Sequence, residues 1–421
     1  MSRTALALAE GGAEVIAFKQ LHSEYQPPTQ KHCRIQWLFA STVESISKSN
    51  RVLRQGMQFL IKIYVLLLVS VKADACLFIG GKGFFNYPFD YYLLRLLGKR
   101  VVHMYVGTAS RPRYLSSYSL GLLFEKPVKK NKSIKKLIRR VKRQRSRVAA
   151  FSSAASIVIE NPLCGHFQTR PFVNVFKLGI PIKISSNGQP PHSCPALDGR
   201  KIRILHCPSK PEIKGTERIL SILSNDVLER LNAELIVLTG VPRIRVLEEI
   251  KKCDFVIDQL YSDSPLAGFA AESASLNKVP IVGGYGWEEL KKSLKNDEIP
   301  PALLCHPSQL LQSVEQLCQS PSKREELASK LNTFLLEGEW SSRAFVNKLG
   351  RILTGDIPEE WMIDPDSINY KCGVGLTEEQ ARQLSLEIVE VGGTGALQLG
   401  GNPHLEKKFT EWINPPSETI D

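Results

Sequence analysis

His206-Cys-Pro-Ser-Lys-Pro-Glu-Ile-Lys-Gly-Thr216 decides how the chain is read, because it follows the apolar run Ile202 to His206 and precedes the helical stretch through Arg218 to Leu223. A β-like run, a lysine-bearing turn and a helix in that order make one βα unit of a parallel sheet. The C-terminal end of such a strand is where α/β sheets gather phosphates, so Lys210 and Lys214 are candidate anion contacts. A plain βα turn with solvated lysines fits the same residues equally well. Outward from this turn, further strands are expected at Glu234 to Leu238, Phe255 to Gln259, Val279 to Val282 and Ala302 to His306, with helices at ordinary βα spacing between them.

A second block of the same kind lies upstream. Glu14 to Phe18, Arg34 to Phe39, Ala75 to Ile79, Val101 to Val106 and Ser156 to Glu160 read as strands, with helices over Arg51 to Val71 and Tyr91 to Leu97, the latter ended by Gly98. Between the blocks, Ile180 to Arg200 holds Pro181, Gly188, Pro190, Pro191 and Pro195 and reads as an exposed linker. The expected organisation is a unit over residues 1–180, a linker over 181–200, a second unit over 201–354 and an extension over 355–421. In the glycine-rich extension only a helix around Glu378 to Glu387 is predicted.

Composition bounds the class. The 421 residues suffice for two or three domains, and 43% hydrophobic with 23% charged residues excludes a disulfide scaffold, a disordered chain and a multispan membrane protein. The net charge of +13 has one source: residues 126 to 147 hold twelve Lys/Arg and no acid, and the rest of the chain is close to neutral. Nine cysteines without Cys-x-x-Cys or zinc-ligand spacing suit a reducing compartment. The N-terminus lacks the pattern of a secretory signal, and the cytoplasm is the expected location, with the cytoplasmic face of a membrane as an option. Phe59 to Val71, interrupted by Lys62, fits a buried or interfacial helix better than a membrane span.

Downstream of the lysine turn, Asp254-Phe-Val-Ile-Asp-Gln-Leu260, Ser264-Pro-Leu-Ala-Gly-Phe-Ala-Ala-Glu272 and Asn277-Lys-Val-Pro-Ile-Val-Gly283 form a strand, a loop opening a helix and another strand, which places Glu272 beside the same sheet edge as Lys214. A carboxylate there accepts hydrogen bonds from sugar hydroxyls; as a helix N-terminal acid it would only answer the macrodipole. Together with Ala155-Ser-Ile-Val-Ile-Glu-Asn-Pro162 and Leu178-Gly-Ile-Pro181, these motifs resemble the GT-B glycosyltransferases of the large group 1 (family four), over about residues 150–350.

The resemblance implies an α/β chain of two Rossmann-like domains facing across a cleft, and transfer of a sugar from a nucleotide-sugar donor to an unidentified acceptor, with retention. It implies that Lys214 contacts the donor diphosphate and Glu272 the nucleotide ribose, as the residues of catalysis, with Ser209, Lys210, Gly215, Thr216, Ser264, Gly268 and Phe269 around the substrate. Neither a metal nor another cofactor is implied. Two positions depart from the family pattern: Ser264 stands where a first glutamate is expected and Ser209 where an arginine is common, and Lys210 supplies charge without the bidentate fork. A non-catalytic GT-B-like binding or scaffold protein is therefore the rival reading.

In the first block, Ser2 to Ala7, Gly12 and Glu14 to Phe18 resemble the family's first helix and second strand without the first strand and its glycine-rich turn, so a sheet lacking an interior strand is expected. Gly107 to Arg113 falls where acceptor loops gather; Arg111 and Arg113 are candidates for gripping an anion, or belong to a solvated loop. His103, inside a strand, reads as a packed core histidine rather than a catalytic one. Lys126 to Arg147, as a helix, sets Ile134, Leu137, Ile138 and Val141 on one stripe flanked by cations. It suits an interfacial helix on anionic lipid, or a solvated face; a nucleic-acid patch ranks third because no aromatics are interleaved.

Overall fold

The computed structural model describes residues 2–18, 32–38, 51–182 and 199–414. In the second unit a five-stranded sheet runs in the order Leu303–Cys305, Val279–Gly283, Phe255–Gln259, Ile202–His206, Ala233–Val237, with every pair parallel. Phe255–Gln259 and Val279–Gly283 are buried at each residue, as interior strands covered on both faces must be. Neighbouring residues serve opposite faces: Ile204, Ile257 and Ile281 enter one core with Ile219 and Val314, whereas Leu205 and Val256 join Ile250 and Cys253 in another.

The first unit repeats the plan with a break in it. Ala75–Ile79, Arg100–Met104, Ile157–Glu160 and Phe172–Asn174 pair in parallel, and Met362–Ile363 adds an antiparallel edge from the C-terminal extension. Val15–Phe18 and Ile35–Leu38 form a separate parallel pair. Among the described residues nothing pairs with the outer edge of Ala75–Ile79. Phe18 reaches across to Phe84, with ring centroids 5.9 Å apart.

Helices Arg51–Lys72, Phe89–Leu96 and Pro127–Ala154 cover one face of this sheet and share a single core that includes Val65, Tyr91, Val141 and Phe151. The opposite face is covered by helix Ser342–Thr354, whose Phe345, Leu349 and Ile352 pack on Val102, Ile159 and Val173. The second unit expected over 201–354 thus ends in space before Ser342, because the apolar stripe of this last helix matches the first unit's sheet. The linker expected over 181–200 lies largely outside the described residues.

The extension is more ordered than its glycines suggested. Helix Glu378–Gly392 opens with a capping box in which Gln380 N donates to Thr377 Oγ1 at 3.1 Å and Thr377 N donates to Gln380 Oε1 at 3.0 Å. Helix Pro403–Ile413 follows, capped by Asn402. Leu384 and Ile388 close over Ile134, Leu137 and Val141, Gly392 lies against Ile138, and Lys130 pairs with Glu387. This corrects one half of the interfacial reading of the basic helix, the entry of its apolar stripe into lipid. Its apolar stripe is core, since amphipathic spacing reports that a face is covered without saying by what.

Candidate active site

The lysine turn is built around one glycine. Pro211–Lys214 forms a single helical turn, and Gly215 follows at φ +73°, where a Cβ would stand 2.9 Å from the Tyr261 ring and 3.0 Å from Leu260 Cβ. Only glycine takes this positive φ in so tight a space. The turn delivers Lys214 Nζ to 3.0 Å from Asp258 Oδ1, at the buried end of strand Phe255–Gln259, while Asp258 Oδ2 has no hydrogen-bond partner. Burial lowers the pKa of His206 and keeps it neutral. Its Nδ1 donates to the Ile257 carbonyl at 2.8 Å, so Nε2 accepts from Thr216 Oγ1 at 2.9 Å. Thr216 therefore pins the turn to the sheet.

Facing this edge are the loops after Arg100–Met104 and Ile157–Glu160. Arg111 is fully buried; it pairs with the Asp263 carboxylate and donates to Cys164 Sγ at 3.0 Å. Asn161 Nδ2 donates to the Asp263 carbonyl at 2.8 Å, and Tyr370 OH donates to Asp263 Oδ1 at 3.0 Å. The C-terminal edges of the two sheets therefore meet face to face. The fold is of the GT-B type.

Burial raises the Glu160 carboxyl to about 7, against hydrogen bonds from Ser110, the Asn161 backbone and Gln168. The local network suits the protonated form. Ser110 Oγ lies between Glu160 Oε2 and the Cys164 carbonyl, and its single hydrogen can serve only one of them. A protonated Glu160 donating to Ser110 leaves that hydrogen for Cys164. Through the same seam passes the extension: Ser117 N donates to the Val374 carbonyl at 3.1 Å, and Gly375, at φ +71°, fits between Ser117 and Ile213, next to Lys214.

The predicted residues fall into separate groups. Lys214, Gly215 and Thr216 build the turn, and Lys210 crosses to the first unit, its Nζ hydrogen-bonded to Tyr118 OH and 5.0 Å from that ring's centroid. Ser209 is exposed on the same turn, and Ser264 is half-buried in the facing loop beside Asp263. Glu272 does not join them. Its Oε1 accepts from Arg3 and, at 2.9 Å, from Arg243 Nε, in a cavity of about 300 Å³ also lined by Leu6, Ile182 and Leu247.

Gly268 opens the helix of Glu272 and is exposed, whereas Phe269 packs with Leu205 and Val256. That packing corrects the substrate-binding expectation for Phe269, which faces the core. Arg113 is exposed, and Arg111, expected to grip a ligand anion, is held by Asp263 instead. His103 is core as expected: it hydrogen-bonds Tyr91 OH at 2.8 Å and the Gly80 carbonyl at 2.9 Å, and burial lowers it to about 4. Asp258 was visible as an acid inside an apolar strand. Tyr370 and Arg243 gave no signal, because what joins them to Asp263 and Glu272 is tertiary. Among the described residues no cluster of His, Cys, Asp and Glu could hold a metal ion.

No family model and no curated protein matches the chain. Solved structures similar to it include HepE from Anabaena in complex with UDP-glucose, at 12% identity over 70% of this chain and 82% of that one, with a TM-score of 0.40. WaaG, a glycosyltransferase involved in lipopolysaccharide biosynthesis, is similar at 14% identity over 84% and 94%, with a TM-score of 0.42. A UDP-forming trehalose-phosphate synthase from Burkholderia xenovorans follows at 11% over 84% and 96%, with a TM-score of 0.44.

Proposed function

We propose that the chain is a glycosyltransferase of the family-four kind that moves a hexosyl group from a nucleotide-sugar donor to an acceptor, with retention and without a metal or other cofactor, on the cytoplasmic side of the cell. The observation that carries this reading is the Lys214 ammonium, held 3.0 Å from Asp258 at the sheet edge that faces the first unit. A fixed cation at that edge binds a diphosphate and neutralises the charge that develops as it leaves. Asp258 keeps the ammonium oriented. A ribose role for Glu272 would fall to Oε2, since both arginines occupy Oε1, and would require the nucleotide to extend from the lysine turn to the separate cavity of Glu272.

Turnover of a panel of nucleotide sugars, with nucleotide affinity measured by calorimetry, tests the assignment. Lys214→Ala should weaken nucleotide binding by about 1.5–3 kcal/mol, as expected for a charge-assisted contact. Glu272→Gln should cost more affinity for a ribonucleotide than for its deoxy analogue. Unchanged affinity in the first variant would remove Lys214 from the site, and equal losses in the second would leave Glu272 a structural acceptor for its arginines.

A second reading, a catalytically impaired binding protein, is favoured by the buried Arg111–Asp263–Tyr370 seam and by Ser264 where the resemblance expects a carboxylate. Nucleotide binding without turnover of any donor would select it.

A further inference from the structure

Helix Arg51–Lys72 is apolar on two opposite faces. Val65, Leu66 and Val69 enter the core of the first unit, while Leu53, Leu60, Leu67 and Val71 recur at multiples of 3.6 residues on the far side, where they are 57%, 66%, 60% and 80% exposed. The helix carries Arg51, Arg54, Lys62 and Lys72 and no acid. Its exposed apolar surface continues onto the next helix through the chain of rings Phe59, Phe85 and Phe89, with centroids 5.7 and 4.3 Å apart, and then through Tyr92 and Leu96. That helix in turn abuts Pro127–Ala154, where Arg95 Nη1 donates to the Ala154 carbonyl at 3.1 Å and Tyr91 lies on Phe151.

All three helices cover the same face of one sheet, so their outer sides form one surface. It is an apolar half beside a cationic half, on which Lys132, Lys135, Lys136, Arg139, Arg140 and Arg143 are exposed. A contiguous exposed apolar patch rimmed by charge marks an interaction site. Its charge selects the partner: a second copy would bring the same cations together, and a polyphosphate chain would leave the leucine stripe in water. An anionic bilayer answers both halves.

We propose that this outer surface docks on an anionic lipid bilayer, with Leu53, Leu60, Leu67, Val71, Phe59 and Leu96 entering the acyl boundary while the cations of Pro127–Ala154 hold the headgroups. The helix is 22 residues long, about 33 Å at 1.5 Å per residue, and is apolar enough to span. The docking of Val65, Leu66 and Val69 in the folded core instead lays it in the plane of the interface. The stripe Ile134, Leu137, Ile138 and Val141 has no part in the contact, being occupied by the extension. This inference is independent of the donor-site reading, since vesicle binding needs no nucleotide.

Co-sedimentation of the full chain with vesicles of equal parts phosphatidylglycerol and phosphatidylcholine, against phosphatidylcholine alone, reads the contact. Binding to the anionic vesicles should be strong at low salt and fall at least tenfold in high salt, with little binding to the neutral ones. Lys132→Glu with Lys136→Glu and Arg140→Glu should reduce it by more than tenfold, and Leu60→Ser with Leu67→Ser by about tenfold with the thermal unfolding temperature preserved, because these leucines face outward.

Leu67→Trp provides an independent readout that asks nothing of stability: brominated acyl chains should quench it. Several results would overturn the proposal: failure of the wild-type chain to bind anionic vesicles at low salt, retention of nucleic acid instead, an unquenched Trp at position 67, or resistance to alkaline carbonate extraction, which would make the helix a span.

Discussion

The two sheets of this protein follow one plan and finish it differently. In the second unit the strands Phe255–Gln259 and Val279–Gly283 are wholly buried, and helices from residues 216–336 supply most of the cores on both faces, with Phe176, Ile182 and Trp340 added to one of them. In the first unit Ala75–Ile79 buries one residue of five, Val15–Phe18 and Ile35–Leu38 stand apart as a pair, and the core is completed from elsewhere in the chain. Leu376, Leu384, Ile388, Leu397, Leu405 and Phe409 of the extension are all part of that core. A helix with a bare apolar stripe must find cover, and here residues 359–414 supply much of it.

The most severe way to break the comparison is to end the chain at Thr354. The first unit should lose its cooperative structure while the second keeps its own. Hydrogen exchange followed by mass spectrometry should then show amides of 100–104 and 157–160 exchanging freely and those of 202–206 and 255–259 still protected. Equal protection in both would mean that the first unit folds unaided.

A milder cut is Phe409→Ala. Phe409 is fully buried and its ring contacts Trp412 and His166. Its removal should cost about 3–5 kcal/mol, read as a shift in the denaturation midpoint. A loss below 1 kcal/mol would indicate that the extension is only loosely seated.

Glu160 probes the seam where the units meet. Its folded pKa of about 7 exceeds the ordinary 4.5, so the folded chain holds a proton that the unfolded chain has lost. Stability from this group is complete below about pH 4.5 and is lost as pH rises through 7, by ~3 kcal/mol for a shift of this size. His103 and His166, lowered by burial to about 4 and about 3, act in the opposite sense by losing stability on acidification. The informative quantity is therefore the difference between Glu160→Gln and wild type. The variant should gain on the wild type between pH 5 and pH 8, and a pH-independent difference would place the proton elsewhere.

The smallest effect is expected at Lys136→Glu on the exposed side of the basic helix, where the change in stability should stay within about 0.5 kcal/mol. A larger loss would show that this face is covered by something besides solvent or lipid.

The amino-acid sequence by itself determined the two α/β blocks, because the alternation of apolar runs and helical periods is local and repeats through each block. It also determined the lysine turn: Lys214 and Gly215 are adjacent in the chain, and a positive φ at a crowded position leaves only glycine. His103 was legible as core because it sits among apolar strand residues. The tertiary structure alone decided what each apolar or charged group meets. Phe172–Asn174 and Met362–Ile363 are too short to carry a period and become strands by pairing, the first with Ile157–Glu160 on one side and with the second on its other side. Ile134, Leu137 and Val141 repeat at a spacing that lipid and protein satisfy equally, and the cover came from Leu384 and Ile388, far along the chain. Arg111 and Asp263, like Glu272 and Arg3, are distant in sequence and meet only because the two units pack together. Periodicity records that a face is covered, whereas the identity of the cover depends on contacts between residues that no local window contains.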